Sequence, residues 1–189
     1  MSKKIRVAVI FGGRSSEHEI SCISAGSVLR ALDRSRYEVV PIGITKAGQW
    51  VLEADEPNRL VISGGVFPEV DPKNSPILFT ADASATELVV QSQVPAVLAQ
   101  VDVAFPVLHG PWGEDGTIQG LLELAGIPYV GSGVFASAAA MDKAHLKAMM
   151  QSAGLPIGPY EVVSNAQWVN DEAGCLDRIQ ALGLPVFVK

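Results

Sequence analysis

The sequence predicts an α/β fold: an N-terminal doubly wound, mostly parallel sheet with helices on both faces. Two runs rich in Val and Ile, at 6–11 and 101–108, are typical of strands buried on both sides. A helical pattern at 19–32 joins the first run to a second strand at 38–45, which makes a β-α-β unit with a right-handed crossover. Each apolar run leads through a glycine-rich loop into a helix, as expected of this fold class.

The next elements follow from local signals. We predict that Ile20, Ile23, Val28 and Leu32 turn the first helix toward the core. Residues 46–49 read as a hairpin turn, and the Pro- and Gly-rich stretch 53–76 as a surface excursion. The remaining predictions here are short strands at 50–52, 77–79, 87–90 and 127–130, and a helix at 117–125 that Gly126 ends.

A second unit is predicted to start near residue 136, giving domains at 1–135 and 136–189. Its pattern is a helix at 141–153, a strand at 160–163, a helix at 175–182 and a strand at 185–188. This is too little for a complete domain, and the last strand breaks off at Lys189. We therefore expect the chain to be the N-terminal part of a longer protein.

Composition excludes several classes of protein. Hydrophobic residues make up 48% of the 189 residues and charged ones 18%, which indicates a packed core. With 14 Lys and Arg against 20 Asp and Glu, the net charge of −6 argues against nucleic-acid and membrane partners. No signal peptide is recognisable, and the two cysteines lack metal-site spacing. We expect a cytoplasmic protein with two buried thiols, although the sequence leaves a disulfide possible.

The most informative segment runs from Phe11 to Ser21, where the first strand turns on two glycines into a helix. A helix N-terminus attracts anions, yet Glu17 and Glu19 already stand there. They would repel a phosphate and attract an ammonium group. The corner therefore predicts a site for a small amine or amino acid, with Glu17 as the counter-ion. The alternative, of about equal weight, is that Glu17 only caps the helix.

A second loop, His109 to Gly116, follows the strand at 101–108. Ligands of parallel α/β sheets bind beyond the carboxyl ends of strands, where both loops are expected. Neither loop has the spacing of a dinucleotide or phosphate loop. The alternatives are a core role for His109, and loop or N-cap chemistry for Glu114 and Asp115, which we favour for Asp115.

Two lysines outside these loops are also candidates. Lys143, taken alone, is typical of a solvated helix position. Lys189 ends the apolar run Val186-Phe187-Val188, from which one ammonium can be directed at a phosphate. The three histidines, His18, His109 and His145, each fall near one of the candidate segments, which is weak support.

Four segments together resemble the D-alanine–D-alanine ligases of the ATP-grasp superfamily. They agree in order and separation over the whole chain, and the excursion after residue 50 resembles the longer branch of that family. The segments are Phe11-Gly12-Gly13-x-Ser15-x-Glu17-x-Glu19-Ile20-Ser21, His109-Gly110-x-x-Gly113-Glu114-Asp115-Gly116, Met141-Asp142-Lys143 and Pro185-x-x-Val188-Lys189.

The resemblance implies ATP-dependent ligation of two D-alanines for peptidoglycan precursor synthesis. In such ligases ATP phosphorylates the first D-alanine, and the amine of the second attacks the acyl phosphate. The resemblance implies that Glu17, the one catalytic candidate, holds the ammonium of the first D-alanine. Ile20 would lie against that substrate and His109 would line its pocket. Lys143 and Lys189 would contact the ATP phosphates.

The resemblance also implies what this chain does not carry. Residues 136–189 would begin the ATP-grasp domain, and Mg²⁺ (or Mn²⁺) would be held by acidic residues that follow Lys189. The metal site would thus have no ligand in this chain, and we expect the chain alone to be inactive. Such ligases are usually homodimers in the cytoplasm.

Three alternatives remain open from the sequence. A sister ligase would join D-alanine to D-lactate or D-serine, because the loop that selects the second substrate would follow Lys189. A non-catalytic module would use Glu17 and His109 as clamps for an amino acid. A nicotinamide dehydrogenase is a third option, and the missing glycine fingerprint counts against it.

Overall fold

A computed structural model describes residues 3–79, 88–90, 96–98 and 101–188 of the chain. It divides the chain into two units, Met1–Ala138 and Ala139–Lys189. The described elements are the strands β1 (Ile5–Gly12), β2 (Tyr37–Ile44), β3 (Trp50–Leu52), β4 (Ile77–Phe79), β5 (Leu88–Val90), β6 (Ala96–Leu98) and β7 (Val103–Pro106), a short 3₁₀ helix (Pro57–Arg59), and the helices α1 (His18–Ala31), α2 (Thr117–Leu124), α3 (Val134–Met141), α4 (Lys143–Ser152), α5 (Asn165–Asn170) and α6 (Glu172–Gln180).

The first unit is built on a four-stranded sheet in the order β3-β2-β1-β7. Strand β1 pairs in parallel with β2 on one side and with β7 on the other, and β3 adds an antiparallel edge. Helix α1 packs with Val9 and Phe11 on one face. Helix α2 packs with Ala8 and Ile10 on the other face. The predicted doubly wound sheet, covered on both faces, is confirmed, and the continuous apolar run of β1 reflects its burial on both sides.

Helix α1 buries only part of the predicted face: Val28 and Leu32 are partly buried against the core. Ile20, predicted to face the core, is 45% exposed, whereas Cys22 and Ala25 are fully buried. The small residues of this face let the chain approach closely, since a Cβ on Gly26 would lie 2.7 Å from the Leu60 carbonyl oxygen. The prediction followed the bulky residues, while close packing here requires the small ones.

The strands predicted at 77–79 and 87–90 do not belong to the main sheet. Strands β4, β5 and β6 form a separate antiparallel sheet of three strands. The prediction at 87–90 corresponds to β5, and Glu87 lies outside the described residues. The predicted strand at 127–130 is reduced to a single bridge between Ala104 and Tyr129, so this segment only extends the edge beside β7.

Residues 53–76, called the strap below, pack against α1 and β1. Leu60 and Val70 are buried in the same cluster as Phe11. The Arg34 guanidinium donates to both carboxylate oxygens of Asp55, at 2.6 and 2.9 Å. The tip of the strap is an exposed turn in which Ser63 pairs with Val66 across Gly64 and Gly65. The predicted surface excursion is therefore a packed segment with an exposed tip.

In the second unit the predicted helix at 141–153 is α4, whose N-terminus is capped by Asp142. The strands predicted at 160–163 and 185–188 are wrong for the residues that the structure describes, which form no strand there. A lone strand has no partner for its backbone groups. The prediction also missed α5, although Ser164 and Gln167 form a capping box that the sequence displays.

Both cysteines are buried and free: Cys22 lies in the first unit and Cys175 in the second. The prediction of two buried thiols is confirmed. Among the helices that the structure describes, none is long and apolar enough to cross a lipid bilayer.

Replacing Ser21 with alanine is expected to lower the free energy of unfolding by about 1–3 kcal/mol. The Ser21 hydroxyl accepts from the Gly12 N–H at 2.8 Å and donates to the Val107 carbonyl oxygen at 2.6 Å. The variant leaves two backbone groups without this partner. Urea denaturation of the 189-residue chain measures the loss. The exposed Ser27→Ala is the matched control, expected to stay within about 0.5 kcal/mol; equal losses in both would contradict the role of Ser21.

A second stability prediction concerns pH. Burial, followed by the charges of Glu53, Glu19 and Glu69, raises the pKa of the Cys22 thiol from 9.0 to about 12. Between these two pH values the thiol ionises only in the unfolded chain, and this ionisation favours unfolding. The free energy of unfolding is therefore unaffected by the thiol below pH 9.0 and falls as the pH rises toward 12. We expect the unfolding free energy to decrease by about 1 kcal/mol per pH unit in this window.

Urea titrations of the wild type and of Cys22→Ala, each from pH 7.5 to 11, measure this effect. The alanine variant lacks the thiol and keeps every other titrating group. The difference between the two curves should therefore shrink as the pH rises above 9. Parallel curves would contradict the assignment.

Candidate functional site

The candidate site lies where β1 and β7 end side by side. Strand β1 lies between β2 and β7. The chain passes from β1 to β2 on one side, and the later strand β7 lies on the other side. The carboxyl ends of two such strands form a crevice at a topological switch point, where α/β folds bind ligands. The loop after β1 runs to Glu17, and the loop after β7 runs from Val107 to Gly116.

Glycine is required at the turn after β1. Gly12 has a φ of +86°, and a Cβ there would collide with the Ile44 carbonyl. Gly13, with a φ of +96°, donates its N–H to the same carbonyl oxygen at 2.7 Å. The buried His18 ring then closes the turn, with its Nδ1 2.7 Å from the Gly13 carbonyl oxygen. These bonds fix the direction in which α1 begins.

Ser15 joins the two loops. Its buried hydroxyl donates to the His109 carbonyl oxygen at 2.7 Å and accepts from the Glu17 N–H at 3.1 Å. A single side chain therefore sets the distance between the backbone of Glu17 and that of His109.

Glu17 precedes α1 but does not cap it with its side chain. Its carboxylate oxygen Oε2 lies 2.5 Å from the point where a Cβ on Gly110 would stand. In the part of the chain that the structure describes, no cation pairs with this exposed carboxylate. The capping alternative therefore does not describe the side chain, and the carboxylate is available to a ligand.

Glu19, two residues further on, is in a different state. The Lys46 ammonium donates to the carboxylates of Glu19 and of Glu69, which belongs to the strap. The hydrogen bond from Lys46 holds the pKa of Glu19 below its ordinary value. Of the two carboxylates at the start of α1, only Glu17 is thus without a protein cation.

A second carboxylate reaches Gly110 from the other loop. The Gly110 N–H donates to Glu114 Oε2 at 2.7 Å, and the φ of Gly110 is +70°. Glu17 and Glu114 therefore approach the same glycine, one at its Cα and one at its N–H. Two carboxylates beside one backbone position make the local potential negative, which favours a cation.

The rest of the second loop is held by its own side chains. Asp115 accepts from the Trp112 N–H at 2.9 Å and from the Thr117 N–H at 3.0 Å, and these bonds outweigh its burial and lower its pKa. The Gln119 amide donates to the Gly113 carbonyl oxygen. Trp112, at a φ of +68°, carries the Arg14 guanidinium 4.8 Å above its ring. The loop chemistry favoured for Asp115 is confirmed, with Gly116 at the N-cap position.

The other candidates of the first unit lie close to this pair of loops. The His109 ring is half-buried, and its Nε2 lies 3.0 Å from the Ser24 hydroxyl of α1. Ile20 stands three residues after Glu17, on the same side of the helix, and is exposed. The structure thus places the Glu17 carboxylate against Gly110, the residue after His109, and leaves Ile20 open to a ligand.

Both candidate lysines belong to the second unit. Lys143 is the first residue of α4, and its exposed Nζ donates to the Ala140 carbonyl oxygen at 2.8 Å. Lys189 lies outside the described residues. Among the side chains that the structure describes, no three His, Cys, Asp or Glu residues are grouped closely enough to hold a metal ion.

Sequence reasoning missed three residues that shape the site: Ser15, Ser24 and Gly110. A usable signal was present for Ser24. Ser24 follows Glu17 by seven residues and Ser21 follows it by four, which places all three on one side of a helix. Ser21 and Ser24 bind the segment that follows β7. Gly110 gave no such signal, because its role depends on the position of Glu17.

Known proteins resemble the part of the chain that contains both loops of the site. A family model described as "D-ala D-ala ligase N-terminus" matches residues 6–132. The D-alanine–D-alanine ligase of Mycobacterium avium (strain 104) is 56% identical over 191 residues, covering 100% of this chain and 51% of its own. The ligase of Streptomyces griseus is 51% identical, covering 99% of this chain and 50% of its own.

Solved structures agree with these relatives. The VanG D-Ala:D-Ser ligase from Enterococcus faecalis has a TM-score of 0.73 at 32% identity, covering 97% of this chain and 50% of its own. The D-alanine-D-alanine ligase from Coxiella burnetii has a TM-score of 0.67 at 31% identity, covering 91% and 50%. The chain spans about half the length of the relatives that it matches.

Proposed function

The chain belongs to the D-alanine–D-alanine ligase family, and from this premise we propose that it supplies the first D-alanine site of an ATP-dependent ligase. The reaction would join two D-alanines to D-alanyl-D-alanine for peptidoglycan precursor synthesis. One observation carries the proposal: the Glu17 carboxylate stands at the β1–β7 crevice, against Gly110, without a cation from the described protein.

The chemistry of the site suits an ammonium group. Glu17 and Glu114 supply negative charge beside Gly110, and Lys46 is already engaged by Glu19 and Glu69. A bound ammonium would satisfy the Glu17 carboxylate by a charge-assisted hydrogen bond. The exposed Ile20 would contact the methyl side of the amino acid, and His109 would line the pocket.

The proposed reaction has two steps. The carboxylate oxygen of the first D-alanine attacks the γ-phosphorus of ATP, which forms an acyl phosphate and releases ADP. The amine of the second D-alanine then attacks the acyl carbon, the C–O bond to phosphate breaks, and the dipeptide and phosphate leave with one proton. Within this scheme Glu17 holds and orients the first substrate, a role worth a large part of the barrier in such reactions.

The phosphate contacts are a separate part of the proposal. We assign Lys143 and Lys189 to the ATP phosphates, as positive charges that stabilise the transferring group. When bound, Mg²⁺ would neutralise charge on the same phosphates. We assign no ligand of Mg²⁺ to the residues discussed above. In this proposal residues 1–135 bind the amino acid, and 136–189 begin the nucleotide-binding domain of a cytoplasmic homodimer.

Calorimetric titration of the 189-residue chain tests directly whether the Glu17 carboxylate binds the amino acid. We expect D-alanine to bind weakly to the wild type and more weakly still to Glu17→Gln, while Glu19→Gln remains like the wild type. Glu19 is the matched control because its carboxylate is held by Lys46 rather than open to a ligand. Equal binding by both variants would contradict the proposed role of Glu17.

Activity requires the full-length protein that carries residues 1–189. Phosphate release with ATP and D-alanine tests ligation, and we expect none from the 189-residue chain alone. Phosphate release by the chain alone would overturn that expectation. Tight amino-acid binding that ATP leaves unchanged, without ligation by the full-length protein, would favour a non-catalytic module.

The second candidate function is ligation of D-alanine to D-serine or D-lactate, because the D-Ala:D-Ser ligase of Enterococcus faecalis shares the fold at 32% identity. The residues described here concern the first substrate. Offering D-alanine, D-serine and D-lactate as acceptors to the full-length protein, over a range of pH, identifies the second substrate. Preference for D-alanine at every pH supports the main proposal.

A further inference from the structure

Helix α1 presents a line of polar side chains to the segment that follows β7. Glu17, Ser21 and Ser24 are spaced by four and then three residues, so they lie above one another on one side of the helix. The Ser21 hydroxyl donates to the Val107 carbonyl oxygen at 2.6 Å. The Ser24 hydroxyl lies 3.0 Å from His109 Nε2. The helix therefore binds this segment at two positions: the backbone carbonyl of Val107 and the ring of His109.

The backbone around His109 is already fixed without Ser24. Ser15 donates to the His109 carbonyl oxygen at 2.7 Å, and Glu114 accepts from the next N–H, that of Gly110. What these bonds leave free is the rotation of the ring and the choice of the nitrogen that carries the proton. Among the described residues, the contact that reaches the ring itself is the one from Ser24.

Hydrogen-bond accounting indicates which nitrogen is protonated. A serine hydroxyl has one proton to donate, and a neutral imidazole has one donor nitrogen and one acceptor nitrogen. Within the described residues, His109 Nε2 is the sole hydrogen-bond partner of the Ser24 hydroxyl. If Nε2–H donated to Ser24, the proton of the half-buried hydroxyl would have no acceptor among the described residues. Donation from Ser24 to Nε2 satisfies both groups and leaves the ring proton on Nδ1.

We propose that Ser24 is a positioning residue that orients the His109 ring by donating to Nε2, which places the ring proton on Nδ1. His109 then offers an N–H donor to an oxygen of the bound amino acid, while Glu17 takes the ammonium. This inference rests on the proposed function, because a substrate held by Glu17 is what gives the donor its partner. Second contacts of this kind fix the tautomer and orientation of functional histidines in many sites.

Imidazole nitrogen spectra of the ¹⁵N-labelled 189-residue chain test the tautomer. His18 is an internal standard, since its Nδ1 faces the Gly13 carbonyl oxygen and its Nε2 accepts from the Val70 N–H at 3.2 Å. His18 must therefore carry its proton on Nδ1. The His109→Gln and His145→Ala variants assign the remaining signals. We expect His109 to show the His18 pattern, and a proton on Nε2 in the wild type would overturn the proposal.

Three variants separate positioning from packing. Ser24→Ala should give nitrogen shifts averaged between the two tautomers, and Ser24→Thr, which keeps a hydroxyl, should restore the wild-type pattern. Ser27→Ala is the control one turn along the helix, where the exposed hydroxyl donates to the Ile23 carbonyl oxygen at 3.4 Å, accepts from the Arg30 guanidinium at 3.2 Å and has no contact with His109. An unchanged His109 pattern in Ser24→Ala would also overturn the proposal. Should that variant lose its dispersed amide spectrum, the wild type and Ser24→Thr still decide.

The kinetic consequence is measured in the full-length protein. Loss of one hydrogen bond between neutral groups should raise KM for the first D-alanine about threefold to tenfold in Ser24→Ala, with recovery in Ser24→Thr. An unchanged KM would overturn the link to substrate. If the full-length protein ligates no D-alanine at all, the proposed function fails, whereas the nitrogen spectra still report on the contact itself.

Discussion

Glu17→Gln in the full-length protein is expected to raise KM for the first D-alanine about tenfold to a hundredfold. The carboxylate and an ammonium would form a charge-assisted hydrogen bond, worth roughly 1.5–3 kcal/mol, that a neutral amide cannot replace. Glutamine has nearly the same shape, so the contact with Gly110 is preserved. Steady-state kinetics at saturating ATP and second substrate measure the change.

The control for this prediction is Glu19→Gln, which alters a carboxylate of the same helix turn. Its charge is already matched by Lys46, and we expect KM for the first D-alanine to change by less than about threefold. The stability of both variants is followed by urea denaturation. An unchanged KM in Glu17→Gln would remove Glu17 from the site, whatever the behaviour of Glu19→Gln.

Gly110→Ala is expected to reduce kcat/KM about a hundredfold, through the position of Glu17 rather than its charge. The added Cβ would stand 2.5 Å from Glu17 Oε2 and 3.5 Å from the Ser15 hydroxyl oxygen, so the carboxylate must move. Displacement by about 1 Å at such a position is enough for a loss of this size. The φ of +70° adds a cost of about 1–2 kcal/mol in stability for any L-residue.

Two comparisons separate these effects. Gly120→Ala adds the same methyl group within α2, where the nearest atom is 4.0 Å away, and should stabilise the chain by about 0.5–1 kcal/mol. The double variant Glu17→Gln with Gly110→Ala should lose little more activity than Gly110→Ala alone, because both changes act on one contact. Full additivity would show that Gly110 acts on something other than Glu17.

The sequence was sufficient for the sheet and for the position of the site. The apolar run of β1 and the glycines after it have few alternative conformations, so the strand, the turn and the start of α1 were predictable. The location of Glu17 and His109 at neighbouring strand ends followed from the same pattern. The first depends on interactions local to the chain, and the second on the general rule that parallel strands of such a sheet end at the same edge.

Features that depend on distant contacts were not predictable. The middle of the buried face of α1 consists of small residues, which let Leu60 of the strap pack against Gly26, and no residue near 26 indicates that partner. The different states of Glu17 and Glu19 likewise depend on Lys46, which is 27 residues beyond Glu19. The predicted strands at 160–163 and 185–188 failed for a related reason, since apolar character alone does not supply a pairing partner.

The tip of the strap offers a place for chemistry that leaves the site untouched. Gly64 and Gly65 have nothing within 4 Å of the position where a side chain would begin, and the body of the strap is fastened independently at Asp55, Leu60 and Val70. Short insertions are tolerated best at exposed tips of this kind. A fluorophore or an affinity tag placed between these glycines would therefore report on the protein, or immobilise it, with the proposed site still intact.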